Sequence, residues 1–264
     1  MATLRVAPVG QWALEQLGYG RELLRALSGA LAAALSNEGG ALVRRTTLYQ
    51  IYFTGVDAVW VVAPLAAIIG GVIIAQTLTV LSGATAAVVL GKTIELVLIR
   101  ELGPMMTAVI VIGRSGSAIA AELANMKVLG EIDLLESMGI DIYRLLVLPR
   151  LVGVTSAIFC LCLVFDVVAV LGGYAAASVA IDTPLGAFLE IVGGHLTVMD
   201  IATTGLKALA YGLAIATISC WQGLSVQGST TEVPQATRRA VVHSLVVCIV
   251  ADGIVSALFL YTGW

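Results

Sequence analysis

Long apolar stretches alternate with short polar ones along the chain, at a spacing that predicts five membrane-spanning helices. A hydrocarbon core of about 30 Å is crossed by roughly 20 helical residues. The thirty-four positions 58–91 carry no charge, which is too long a run for one span and implies a turn at Ser82 and Gly83. The predicted spans cover residues 58–81, 86–115, 151–174, 207–224 and 240–261.

The densest group of charges lies between Arg114 and Arg150 and predicts a water-exposed turn between the second and third spans. Within it, one face of a helix would carry apolar residues and another face acids, namely Val128, Ile132 and Leu135 against Asp133 and Glu136. This pattern predicts a short amphipathic helix. Periodicity alone is equally typical of a helix that lies on the lipid surface.

Residues on both sides of this predicted helix indicate where it begins and ends. Gly139 stands where a left-handed residue would end it, and Asp141 can cap the following segment, which Pro149 is expected to end. A helix defined on both sides suits a docking element.

The composition agrees with a membrane protein, since 59% of the 264 residues are hydrophobic and 12% are charged. A net charge of −3 and the lack of a basic tract argue against nucleic acid as a partner. His195 and His243 are too few and too far apart for a zinc site. The four cysteines lie in apolar segments without CxxC spacing and are expected to be buried thiols: Cys160, Cys162, Cys220 and Cys248.

Residues 1–48 contain five arginines among Leu and Ala, which favours an amphipathic helix on the cytoplasmic surface over a signal peptide. Five spans place this segment, the 114–150 turn and Arg238-Arg239 on one side. The acidic segment 175–206 falls on the other. By the positive-inside rule, the first side, with the N-terminus, is cytoplasmic.

Ionisable residues inside spans mark either a pathway or a pair. Four of them should meet in the outer half of the membrane: Arg100, Glu101, Asp166 and Asp252. In one interpretation Arg100 pairs with Asp252 or Asp166 to hold helices together, and Asp166, Asp252 and Arg238 belong to buried charge pairs. In the other, Arg100 and Glu101 border a lipid cavity, where the guanidinium binds a phosphate.

The segment 86–93, AAVVLGKT, imitates a phosphate-binding loop, but its Val-Val-Leu run resists the backbone dihedrals that such a loop requires. We therefore expect no ATP hydrolysis by this chain, no catalytic residues and no cofactor of its own. The energy for any transport would come from a partner.

Several motifs together resemble the MlaE (YrbE) family of lipid-transporting ABC permeases. They are RELGP, GRSGSAIAAEL, MKVLGEIDLLESMGID followed by a Pro-Arg pair, Gln76 before RELGP, and TRRAVVHS near the last span. The similarity extends from about Tyr49 to the C-terminus, so residues 49–264 would form the permease domain. Ile132 and Ile142 depart from the residues that relatives often carry.

The resemblance implies that residues 122–140 include the coupling helix, which sits in a groove of a separate ATPase subunit. The residues that would serve this docking are Lys127, Glu131, Ile132, Asp133, Leu135, Glu136, Met138 and Gly139.

The resemblance also implies a function and partners. The chain would move phospholipid or a related lipid between the bacterial inner membrane and a periplasmic MCE-domain protein. ATP and Mg²⁺ would bind to the ATPase, to which a STAS-domain protein could attach. Two copies of the permease would enclose a shared cavity, as in the family.

A route for lipid must be apolar, because exposing acyl chains to water costs about 0.8 kcal/mol per methylene. The predicted wall of this route is a set of residues in the first span: Ile69, Ile73, Ile74, Leu78 and Leu81. The small residues of segment 113–121 allow another helix to approach closely, either within the chain or from a second copy.

Other function classes stay open at the level of sequence. The first is an ion-coupled transporter of amphiphiles, with Asp166, Asp252 and Glu101 as a proton relay. A lipid-modifying membrane enzyme lacks a suitable constellation of catalytic side chains, and the buried charges argue against a scaffold without transport.

Overall fold

The computed structural model describes residues 40–80, 85–181 and 184–261, and these ranges are helical without any β-strand. Within them, five helices are long and apolar enough to cross a membrane, which confirms the predicted fold class. Spans one to five cover Arg44–Thr79, Val89–Val128, Tyr143–Val179, Val198–Leu224 and Thr230–Phe259. Two short helices connect them: the loop helix Glu131–Ser137 and the connecting helix Leu185–His195.

The N-terminal surface helix predicted for residues 1–48 falls mostly on residues 1–39, which lie outside the described ranges. From its first described residue, the helix Gly40–Ile51 continues through Tyr52–Val56 into Asp57–Val80. There is no interruption at residue 48, so residues 44–48 belong to span one. The predicted turn at Ser82 and Gly83 also lies outside the described ranges.

Span two continues far beyond its predicted end at residue 115, so the expected turn after Arg114 is wrong. The error arose because charge was read as exposure to water, whereas these charges pair between helices. Arg114 Nη2 lies 3.3 Å from Asp57 Oδ2 of span one. Arg150 Nη2 of span three lies 2.9 Å from Glu122 Oε1.

The loop helix is accordingly shorter than the predicted 122–140. Val128 ends the preceding helix, and Gly130, with φ 75°, separates the two. Gly139 has φ 74°, which confirms the left-handed residue predicted beyond the helix. The carboxylate of Asp141 accepts the N–H of Tyr143 at 2.9 Å, as expected of a cap.

π-Helical segments interrupt spans one to three, at Tyr52–Val56, Ile94–Leu102, Ile112–Gly116 and Tyr143–Val147. Such segments shift the side-chain register and release backbone carbonyls from the regular ladder. The last segment directly precedes the helix Leu148–Ile181. Pro149 therefore does not end a segment as predicted, because the helix that begins at Ile142 continues through it to Ile181.

Span three packs against spans one and four, and span four packs against spans two, three and five. Spans one and three approach backbone to backbone: a Cβ on Gly70 would lie 2.0 Å from the carbonyl oxygen of Ala169. A Cβ on Gly172 would lie 2.2 Å from the carbonyl oxygen of Ala67. The small-residue run of span two contacts span four of the same chain, with Gly116 against Ser219.

The outer faces of the bundle are apolar. Span one exposes Trp60 to 85% and span five exposes Leu258 to 59%. Three cysteines are buried as predicted, whereas Cys160 is exposed because it faces outward from span three. Apolar exposure of this kind suits a surface in contact with lipid or with another membrane helix.

The contact between spans one and three can be tested with Gly70→Ala and Gly172→Ala. The added methyl group meets backbone that cannot rotate away, so each change should reduce the stability of the purified chain by about 1–3 kcal/mol. Gly113→Ala is the matched control, because nothing lies within 4 Å of its Cβ position. Thermal unfolding in detergent is the measurement. Equal midpoints for Gly70→Ala and Gly113→Ala would contradict the close approach.

Candidate functional site

The π-helical segment Ile94–Leu102 of span two presents two backbone carbonyls to span four. The N–H of Gly103 bonds to the carbonyl of Leu98, and Pro104 has no N–H to offer to Arg100 four residues earlier. Thr204 Oγ1 donates to the carbonyl of Ile99 at 3.3 Å. Lys207 Nζ donates to the carbonyl of Arg100 at 3.0 Å. The Gly-Pro pair of RELGP thus creates acceptors that span four satisfies.

Lys207 is fully buried and connects three spans. Besides the carbonyl of Arg100, its ammonium lies 2.8 Å from Glu101 Oε2 and 2.9 Å from Asp252 Oδ1 of span five. Two of its three N–H donors form hydrogen bonds, to the carbonyl of Arg100 and to Glu101, and Asp252 adds a second counter-ion. Because a buried charge needs both a counter-ion and hydrogen bonds, Lys207 is held at the centre of this arrangement.

Two hydroxyl groups extend the network. Tyr211 Oη, on span four, donates to Asp252 Oδ1, and Ser256 Oγ, on span five, donates to Glu101 Oε1 at 3.0 Å. The Glu101 side chain is 40% exposed, whereas Lys207 is completely covered. The network therefore has a closed side at Lys207 and an accessible side at Glu101.

Arg100 pairs with neither of the acids expected from the sequence. Its Nη2 lies 3.2 Å from Oδ1 of Asp200, which is 1% exposed. The other oxygen of Asp200 accepts the N–H of Thr197 at 2.8 Å, in a capping box that begins span four. The predicted pairing of Arg100 with Asp252 or Asp166 was therefore wrong. Asp252 pairs with Lys207 instead, and span four begins at Val198 and not at residue 207, which brings Asp200 within reach of Arg100.

Of the three residues predicted to form buried pairs, Asp252 lies 2.9 Å from Lys207, whereas the ion pairs of the described residues include neither Arg238 nor Asp166. Arg238 is exposed near the start of span five, where water can solvate its charge. Asp166 lies beside the α-carbon of Gly103, and its Oδ1 is buried without a hydrogen-bond partner in the described structure. Binding of a phosphate by Arg100 stays a prediction.

The predicted apolar wall of span one faces the interior of the chain. Ile74 is completely buried in a cluster with Leu90, Ile94 and Phe188, so this residue cannot line an open route. Its placement was wrong because apolar residues surround span one on all sides, and periodicity did not identify the outward face. Ile69, Ile73 and Leu78 are partly buried against the two core clusters. Leu81 lies outside the described ranges.

A second candidate site is the loop helix. Ile132 is 2% exposed and Leu135 packs against the main core, so these two predicted docking residues anchor the helix instead of offering a surface. Met138 and Leu134, four residues apart on one face, are 58% and 59% exposed. Lys127, at the end of span two, forms an ion pair with Asp133. The remaining predicted residues of this site are exposed: Glu131, Glu136 and Gly139.

Sequence reasoning missed four functional candidates: Asp200, Lys207, Tyr211 and Leu134. The pattern Thr197-x-x-Asp200 is a capping-box signal that could have placed the start of span four. Lys207 was taken as the boundary of a span because it is the first cation after the acidic segment.

Five apolar spans, a buried ionic network between three of them and a short exposed helix at the end of span two define a multi-pass membrane protein. The profile of the family described as "Permease MlaE" matches residues 47–258. The chain belongs to this family.

Named relatives agree with the assignment. A probable ABC transporter permease protein of Rickettsia prowazekii is 32% identical over 80% of this chain and 81% of its own length. The intermembrane phospholipid transport system permease protein MlaE of Haemophilus influenzae is 29% identical over 81% of this chain and 82% of its own length. The chloroplastic protein TRIGALACTOSYLDIACYLGLYCEROL 1 of Arabidopsis thaliana is 34% identical over 64% of this chain and 49% of its own length.

The buried network can be tested with Lys207→Met, which removes the cation between Glu101 and Asp252. We expect a loss of about 3–5 kcal/mol in the stability of the purified chain, because uncompensated charge is left in an apolar environment. Adding Glu101→Gln and Asp252→Asn should restore most of the loss. Thermal unfolding in detergent is the measurement, with Lys92→Met at an exposed position as the control. A Lys207→Met chain as stable as the control would contradict this role.

Proposed function

We propose that this chain is the membrane subunit of an ABC transporter that moves phospholipid or a related lipid between the inner membrane and a periplasmic MCE-domain carrier. The observation that carries the proposal is the match of the MlaE permease family to residues 47–258, which include both candidate sites. The Haemophilus influenzae relative is named for phospholipid transport, and the Rickettsia prowazekii relative is named as an ABC transporter permease.

In this proposal the ATPase subunit docks on the loop helix. Leu134 and Met138 form an apolar patch that extends from the end of the bundle, and the acids of the helix surround it. A central apolar patch within a polar rim is the usual anatomy of a protein interface. Ile132 and Leu135 secure the opposite face to the bundle, so that force on the patch is transmitted to the spans.

Span two provides a mechanical connection between the two candidate sites. Glu101 lies twenty-seven residues before Val128, which corresponds to about 40 Å of helix at 1.5 Å per residue. Movement of the loop helix would shift span two against spans four and five, where the contacts of Lys207 must then change. The two arrangements of this network would correspond to the lipid-accepting and lipid-releasing states.

A second copy of the chain completes the proposed lipid route. Cavities of about 280 and 360 Å³ in one chain are smaller than a lipid with two acyl chains. The accessible side of Glu101 lies next to Ser256 on span five, whose outer face is apolar. Two copies facing each other would place both Glu101 side chains at a shared cavity. The loop helix, and with it the N-terminus, would be cytoplasmic.

The docking surface is tested by Leu134→Ser combined with Met138→Ser. Loss of two exposed apolar contacts should reduce co-purification of the ATPase subunit about tenfold, while the chain itself stays folded. Val198→Ser is the matched control, since Val198 is 81% exposed at the opposite end of the bundle. The measurement is the amount of ATPase retained, followed by lipid transport in vesicles and mass spectrometry of the lipid. Transport at the wild-type rate without bound ATPase, driven by an ion gradient, would contradict the proposal.

A further inference from the structure

A polar cavity of about 280 Å³ lies between the end of span four and the first turns of span five. Most of its lining side chains are polar: Gln222, Ser225, Gln227, Glu232, Gln235 and Arg239. Val226 and Ala236 complete the lining, and both pack with Ala124 near the end of span two. The cavity therefore lies at the same end of the bundle as the loop helix.

This cavity is accessible and is separate from the network around Lys207. Gln235 and Arg239 are exposed at its rim. Arg239 lies thirteen residues before Asp252 on span five, which is about 20 Å along the helix at 1.5 Å per residue. A ligand can thus reach the cavity from water or from the membrane surface without entering the buried network.

Two opposite charges line the cavity without pairing with each other. Glu232 and Arg239 are seven residues apart, which separates their backbones by about 10 Å along the helix axis. One carboxylate oxygen of Glu232 accepts the N–H of Gln227 at 2.9 Å. Among the described residues, no ion pair or hydrogen bond engages the guanidinium of Arg239. A cavity that presents one cation and one anion is complementary to a ligand that carries both charges.

Amide groups of the wall add to the cationic end of the cavity. Gln222 is 3% exposed, and its Nε2 lies 2.9 Å from Nδ1 of His243, which fixes this side chain at the wall. Gln235 lies one helical turn before Arg239, on the same face of span five. A guanidinium with a neighbouring amide suits the several oxygens of a phosphate, whereas the carboxylate of Glu232 suits an ammonium group.

We propose that this cavity binds an aminoalkyl phosphate, with the phosphate on Arg239 and the ammonium group on Glu232. Two sources carry this chemistry: free phosphoethanolamine and the head group of a phosphatidylethanolamine lipid. The acyl chains of a lipid would lie outside the cavity, because the exposed Val242 and Val246 continue the face of span five that carries Arg239. The proposal goes beyond the lipid route at Glu101 and does not depend on an ATPase or on transport.

Binding can be measured on the purified full-length chain by ligand-observed NMR, with phosphoethanolamine, inorganic phosphate and ethanolamine as probes. We expect phosphoethanolamine to bind about tenfold more tightly than either of the others, because only this probe meets both charges. Arg239→Gln should weaken its binding about tenfold, and Glu232→Gln should make phosphoethanolamine and phosphate bind equally. The matched control is Arg238→Gln, because Arg238 is exposed but does not line the cavity. Equal affinities of the three probes, or equal effects of the two arginine changes, would overturn the proposal.

A second pair of variants tests the cavity itself. Gln235→Trp places a large side chain at the rim and should lower the binding of phosphoethanolamine. Val242→Trp, at a 50% exposed position of span five outside the cavity, should not. Both positions are exposed, so both chains should stay folded. Binding that is equal in the two Trp variants would contradict the proposed site.

The source of the ligand is distinguished in membranes. Native mass spectrometry would count the lipid retained by the full-length chain from bilayers with equal amounts of phosphatidylethanolamine and phosphatidylglycerol, which lacks an amine, with identical acyl chains. About tenfold higher retention of phosphatidylethanolamine, lost in Glu232→Gln, assigns the site to a lipid head group. Binding of phosphoethanolamine without this preference among lipids assigns the site to the free compound.

The absence of both effects overturns the proposal. So does a cross-link from a photoreactive residue at position 235 to the ATPase subunit in the assembled complex, because a protein segment would then occupy the cavity. Since the binding measurements require no ATP hydrolysis, a failure of this site and a failure of the proposed transport would be recognised separately.

Discussion

The interaction on which the rest of this bundle depends is the burial of a single ammonium group, that of Lys207, among three spans. It becomes possible because Pro104 offers no N–H to the carbonyl of Arg100, which then accepts from Lys207 at 3.0 Å. The two carboxylates beside it belong to spans two and five. A buried cation without these partners would be strongly unfavourable, so the relative positions of the three helices are tied to one side chain.

The two candidate sites follow different physical rules. Around Lys207, which is fully buried, polar groups of three spans contact one another. At the loop helix, apolar groups are exposed, and their position is defined by Ile132 beneath them and by glycines with positive φ on either side. Span two connects the two sites as one long helix that contains two π-helical segments. In the proposed transporter, this helix would carry movement from the docking surface to the buried charges.

Much of the fold follows from the sequence, because length and hydropathy are sufficient to identify spans. The left-handed Gly139 and the cap at Asp141 were also predictable, since they depend on neighbouring residues. The ion pairs between helices could not be predicted from the sequence. Arg114 and Glu122 were assigned to a turn because their partners, Asp57 and Arg150, are distant in sequence. Ile74 was assigned to a lipid route because a helix that is apolar all round gives no indication of its buried face.

The most direct measurement is transport by a complex in which the network is neutral, with Lys207→Met, Glu101→Gln and Asp252→Asn combined. If the ionic network converts movement of the loop helix into a change at the lipid route, this complex should still bind its ATPase and hydrolyse ATP. It should no longer move lipid. Lipid transport at the wild-type rate per ATP hydrolysed would contradict this mechanism, because the charges would then serve only to hold the helices together.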